Sequence, residues 1–255
     1  MRPLSVTELL TIWERGLAAF PFERALAILS VACPETSPAA LARLSIGRRD
    51  AHLLQLREWA FGSELAIMAS CPSCCQTLEV TMPVAALRVS ADSAGDAVGN
   101  EAVNTSEDFV GSLMLQDYQV HYRSPNTEDV AACAGLEPAA SRRQLLAHCV
   151  TDARREGISV SAEDLPEDVV QKVEEHIAAI DPQADMSLDL VCPECCRRWT
   201  EGFDIVSFFW TEIDAWARRI LRDVNILARA YGWRESDILA LSPVRRQIYL
   251  AMAQA

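Results

Sequence analysis

The chain has 255 residues, half of them apolar, enough to bury one large core or two modest ones without disulfides. Its net charge of −13 opposes the phosphate backbones that nucleic-acid binders must neutralise, which makes nucleic acid a poor target for the chain as a whole. No apolar run reaches the roughly 20 residues of a membrane span, and MRPLSVTELLTIWERG has neither a basic n-region nor a small-residue cleavage site, so a cytoplasmic chain with reduced thiols is expected.

The first 70 residues carry a helical pattern. Leu9, Leu10, Trp13 and Leu17 recur at helical spacing, and Pro21 opens a second helix through ALAILSVA that Pro34 ends. Ser37-Pro38 offers an N-cap and a first-turn proline for AALARL. A longer helix follows SIGRRD, with Leu53, Leu54, Leu56, Trp59 and Ala60 assigned to its apolar side. After CPSCC, LEVTM alternates Leu78, Val80 and Met82 with Glu79 and Thr81, the pattern of a half-buried strand. Residues 90–108 nearly lack large apolar side chains and predict a mobile loop. DYQVHYR predicts a second strand with Tyr118, Val120 and Tyr122 on one face.

Asn126 or Thr127 caps a short helix, and SRRQLLAHCVTDARRE predicts a longer one ended by Gly157. Leu165-Pro166-Glu167 opens another that Asp181-Pro182 ends, and MSLDL then alternates into CPECC. Beyond it FDIVSFFW leads into an amphipathic stripe of Ile213, Trp216, Ala217, Ile220, Val224, Leu227, Ala228 and Tyr231, with Gly232 as the stop. ESDILAL and a helix opened by Ser242-Pro243 complete the chain. The expected class is α+β: mainly α-helical, with a small zinc-ribbon-like β module formed by two distant CPxC knuckles. Its expected regions are a helical one over 1–70, the β module with a long insertion over 71–204, and a C-terminal helical one over 205–255.

Six of the nine cysteines lie in CPSCC (71–75) and CPECC (192–196), with 116 residues between the two phrases. Two cysteines separated by two residues can place both sulfurs on one ion, and two such knuckles make the tetrahedral four-thiolate site usual for structural zinc. The ligands would be Cys71, Cys74, Cys192 and Cys195. A redox pair, packing without metal, and a register using Cys75 or Cys196 remain alternatives. The last two residues stand where many knuckles need a positive φ, a geometry that a Cβ makes costly. Cys33, Cys133 and Cys149 read as packing residues.

No G-x-S-x-G, G-x-x-x-x-G-K-[ST] or H-E-x-x-H occurs, and the four histidines are scattered, so no catalytic residues are assigned. Phe208, Phe209, Trp210, Trp216, Tyr231 and Trp233 suit either a core seam or an interaction surface. Residues 211–255 hold seven arginines against five acids, which leaves a zinc-ribbon nucleic-acid or regulatory adaptor as the rival function.

PFERALAIL, SIGRRDAHLLQLRE, CPSC before LEV, CPEC before Trp199, and WTEIDAWARRILRDVNILARAYGWRESDILALSPVRRQIYL together resemble the baseplate hub assembly chaperone family of T-even-type phages. The similarity spares only residues 90–108 and is most specific in YGWRESDILALSPVRRQIY. It implies a non-enzymatic bacterial cytoplasmic protein that assembles, or joins, the baseplate of a contractile phage tail or phage-tail-like injection system. Its partners would be baseplate or hub proteins, and the knuckles would hold structural zinc. The family's C-terminal tract falls on Trp210, Glu212, Tyr231, Gly232, Trp233, Leu241, Arg245, Arg246 and Tyr249; of these, Trp210, Tyr231, Trp233, Arg245, Arg246 and Tyr249 are the expected partner-binding residues. The chain departs from the family at Cys75 and Cys196, where glycine is expected.

Overall fold

The computed structural model describes residues 1–89 and 110–254, so the loop expected over 90–108 lies outside the described residues. The fold is α+β and mainly helical. It begins with α1 (Val6–Gly16), where the Ser5 hydroxyl accepts the Glu8 N–H and the Glu8 carboxylate accepts the Ser5 N–H, satisfying two donors at the helix start. Next come α2 (Pro21–Ala32), α3 (Pro38–Ala42) and α4 (Ile46–Phe61), the last two capped by the hydroxyls of Ser37 and Ser45. Trp59 is exposed and not on the buried face of α4, where Arg57 follows Leu53, Leu54 and Leu56.

Gly62, at φ +97°, ends α4. The segment after it corrects the helical expectation for the first 70 residues: Glu64–Ser70 is strand β1, with Leu65, Ile67 and Ala69 buried and Glu64, Ala66, Met68 and Ser70 exposed. A period of two places one face on the core, which a helix could not do with these residues. β1 pairs antiparallel with β2 (Thr77–Pro83), closing at Ser70 and Thr77 around the first cysteine phrase.

The insertion forms an antiparallel sheet in the order β3 (Val110–Leu115), β4 (Tyr118–Arg123), β5 (Val150–Arg155), β6 (Ile158–Ser159), with α5 (Thr127–Ala132), α6 (Pro138–Cys149) and α7 (Glu167–Ile180). Here the expected long helix stops at Cys149. Val150 and Ala153 instead pair with Tyr122 and Val120 of β4, and Gly157, at φ +83°, turns β5 into β6. Long-range pairing overrides the local helical pattern. A second short hairpin, β7 (Ser187–Val191) and β8 (Arg198–Gly202), encloses the second cysteine phrase. The chain ends with the 27-residue α8 (Ile205–Tyr231), stopped by Gly232 at φ +68°, then α9 (Glu235–Leu239) and α10 (Pro243–Ala253).

The largest apolar cluster joins α1, α2 and α4 to both hairpins and the first half of α8, through Leu9, Ile28, Leu53, Leu65, Leu188 and Phe209. Each such fully buried side chain contributes about 2 kcal/mol, so the hairpins are fixed to the helices by packing as well as by their cysteines. The insertion has its own cluster around Val120, Tyr122, Val169 and Val173. It docks on the start of α4, where Asp181 Oδ2 accepts the Gly47 N–H at 3.0 Å and Ile46 N–H reaches Pro125 O at 3.0 Å. Gly47 permits this approach, since a Cβ there would lie 1.9 Å from Asp181 Oδ1.

Candidate metal centre

Each cysteine phrase is the turn of its own hairpin, and the two turns share one hydrogen-bond pattern. Cys71 N–H donates to Gln76 O and Cys75 N–H to Cys71 O, both at 2.9 Å. The second knuckle repeats this with Cys192 N–H to Arg197 O at 2.9 Å and Cys196 N–H to Cys192 O at 3.0 Å. Sequence reasoning placed one strand beside each phrase; the structure places two. The missing signal was present in SELAIMAS, whose alternation matches that of MSLDL.

The two knuckles bring Cys71, Cys74, Cys192 and Cys195 together with all four sulfurs within 4.8 Å of one another. Cys71 and Cys192 are buried, while Cys74 and Cys195 lie toward solvent. Two pairs in contact cross between knuckles: Cys71 Sγ to Cys195 Sγ and Cys74 Sγ to Cys192 Sγ, both 3.6 Å. A disulfide requires about 2.05 Å, so these are separate thiols. Four thiolates at about 2.3 Å from one ion would stand about 3.8 Å apart along the edges of their tetrahedron. The observed spacing fits that set.

Electrostatics points the same way. The backbone N–H of Cys74, and then that of Ser73, is aimed at the Cys71 sulfur and pulls its thiol down to about 6. For Cys74, an N–H from Gln76 acts to lower the value, but the crowding thiols of Cys192, Cys195 and Cys71 carry it up to about 12. Without a cation, one thiolate makes the next expensive. A divalent ion at the centre reverses that order and lets all four sulfurs bind deprotonated.

Cys75 and Cys196 are exposed, lie outside the four-sulfur set, and hold φ values of +60° and +58°. They accept the left-handed turn that glycine takes without cost. Replacing both by glycine is expected to leave the metal content of the protein unchanged and to stabilise it by up to about 1 kcal/mol per site. Elemental analysis and a thermal melt check this; loss of metal would make one of them a ligand.

The other singled-out residues are dispersed. Trp210 is only 8% exposed, packed on Gly16 with the Arg24 guanidinium 4.4 Å over its ring. Arg246 is 4% exposed and donates to Leu241 O at 3.2 Å. Both side chains are therefore packed inside the chain, beneath its surface. Tyr231, Trp233 and Tyr249 stack on each other, with ring centroids 4.7 and 4.9 Å apart across Trp233, and fasten α10 to the end of α8. Of the six expected partner-binding residues, Arg245 and part of Tyr231 face solvent freely. Cys33 and Cys149 are buried and Cys133 half-buried.

Ser112, His121 and Asp152 stand opposite one another across β3, β4 and β5, a triad by residue type only. Asp152 is held by Arg154 at 2.9 Å, His121 contacts Gln119, and among the described residues no hydrogen bond joins the three. Among the same residues, no helix is long and apolar enough to cross a membrane.

Fold and centre together define a helical protein with a bipartite four-cysteine clamp formed by two hairpins far apart in sequence. Residues 27–210 match the sequence model of the T4 bacteriophage base plate protein family, and the chain belongs to that family. Searches of curated proteins and of solved structures found no match.

Proposed function

We propose that this protein is a non-enzymatic assembly chaperone for the hub of a contractile-tail baseplate, in a phage or a phage-tail-like injection system, and that its cysteine clamp holds structural zinc. Membership of the baseplate family over residues 27–210 carries the assembly role. The four-sulfur set carries the metal: soft thiolates in tetrahedral array suit zinc, and four protein ligands leave no open position for catalysis. The clamp's role is then architectural, fixing the N-terminal helices against α8 on either side of the insertion. The regions 1–70, 71–204 and 205–255 would be its working parts in this reading, with β1 of the first region completing the β module of the second.

Mass spectrometry of purified particles tests the chaperone role. A chaperone is absent from mature particles yet required for their yield; stoichiometric retention would instead make the protein a structural subunit. A second reading, a nucleic-acid adaptor, is favoured by the exposed arginines of the C-terminal helices. It requires salt-dependent DNA retardation in a gel shift, and the assembly reading expects none even at low salt.

A further inference from the structure

α10 packs on α8 through Tyr249, Leu250 and Ala253, which join Leu227 and Ile238 in one apolar cluster. Its opposite side is an apolar ridge that the described residues leave exposed. Val244, Ile248 and Met252, at successive steps of four, are 71%, 50% and 62% exposed. Such an i, i+4, i+8 ridge is the surface that packs into the groove of another helix. Sequence periodicity did not expose it, because the same helix is apolar on both sides.

The charge around the ridge specifies the occupant. α10 contains no acid, and Arg245, next to Val244 and one turn before Ile248, is exposed. The acids of α8 are already engaged: Glu212 pairs with Arg57, Asp214 with Arg218 and Trp13, and Asp223 is partly buried with Arg246, Arg219 and Arg222 around it. Arg219, Arg222, Arg229, Arg234 and Arg245 are exposed and form no ion pair within 4 Å among the described residues. The exposed acids Glu235 and Asp237 on α9 offset only part of this. An apolar ridge flanked by Arg245, on a helix without acids and in a C-terminal region rich in exposed arginines, is complementary to an acidic amphipathic helix. A second copy fits less well, since a two-fold contact through the ridge would bring the same arginine-bearing faces together. Nucleic acid gains nothing from the ridge.

We infer that the outer face of α10, centred on Ile248 and flanked by Arg245, docks an acidic amphipathic helix of a partner protein. This deepens the assembly reading by naming the partner's chemistry, yet it can be tested without particles. The probe is a labelled 20-residue helical peptide with leucines at steps of three and four and glutamates elsewhere, together with its lysine counterpart. Anisotropy with the full-length zinc-loaded protein should show the glutamate peptide binding at least about tenfold tighter than the lysine one. Ile248→Asp should weaken it about tenfold or more, and Arg245→Glu several-fold, while leaving metal content and melting temperature unchanged. Equal binding of the two peptides, indifference to Ile248→Asp, or displacement of the peptide by duplex DNA overturns the inference. So does self-association that Ile248→Asp abolishes, which would assign the ridge to a second copy. If the peptide binds as expected but gene deletion leaves particle yield unchanged, the assembly reading alone fails.

Discussion

Cys192→Ser is expected to yield a purified protein without bound metal and to loosen both knuckle turns, not only the one that carries the mutation. The reason is the crossing of sulfur pairs: Cys192 sits 3.6 Å from Cys74 of the other knuckle, so its loss opens the centre at the junction. Three remaining thiols then face one another without the cation that made their ionisation compatible. A ligand held at about 1,000 times its Kd stabilises the folded state by about 4 kcal/mol, and structural zinc is bound more tightly than that. At about 2–4 °C per kcal/mol for a chain of this size, the melting temperature should fall by at least about 8 °C. Cys71→Ser should behave alike, and chelation of the native protein should reproduce the shift. Wild-type protein should carry one zinc per chain by elemental analysis. A protein purified reduced, without metal and with an unchanged melt in either serine variant, would sink the zinc clamp. The helical core should persist in the variants, because Ile28, Leu53 and Phe209 remain packed without the knuckles.

The next largest effect is expected at Glu212→Ala. Arg57, whose side chain is 3% exposed, donates Nε and Nη2 to the two Glu212 oxygens at 2.8 and 2.6 Å, and Nη1 to Gly62 O and Glu64 O at 2.8 and 2.7 Å. One guanidinium thus holds the end of α4, the start of β1 and the middle of α8. Removing the carboxylate leaves a buried cation with two carbonyls and no counter-charge. Breaking such a pair costs about 3–5 kcal/mol, and the 26% exposure of Glu212 together with the surviving carbonyl bonds places this case near the lower end, at about 3 kcal/mol. Urea unfolding should show a lower midpoint at unchanged slope. Glu212→Gln, which keeps acceptor geometry on one oxygen, should lose less. A midpoint equal to that of the wild type would show that the pair is replaceable by water.

Much of the helical architecture was legible because its signals are local. Ser37-Pro38, Asn126, Pro166, Gly232 and Ser242-Pro243 mark helix ends by backbone chemistry that acts over one turn, and each lies at or next to such an end in the structure. The strands divided differently. LEVTM, DYQVHYR and MSLDL alternate clearly, whereas β3, β5 and β8 owe their conformation to the partner across the ladder. Val150–Arg155 follows directly from a helix and carries three charged residues, so nothing local marks it as sheet.

The four clamp cysteines were legible from spacing and repetition, whereas the strained or altered turns left open at Cys75 and Cys196 were decided by the structure, which gives both a positive φ. The surface was not legible. Trp210 and Arg246 carry the residue types of binding hot spots, yet they lie beneath the surface, while the exposed ridge consists of Val244, Ile248 and Met252.

By itself, then, the sequence determined most helix starts and the pairing of two distant cysteine phrases, because these depend on chain geometry within a few residues. Only the tertiary structure decided that both phrases close hairpins packed on one core, that Arg57 ties α4 to α8, and which side of α10 is left open. Those outcomes depend on which faces meet, and a residue's type does not say what will cover it.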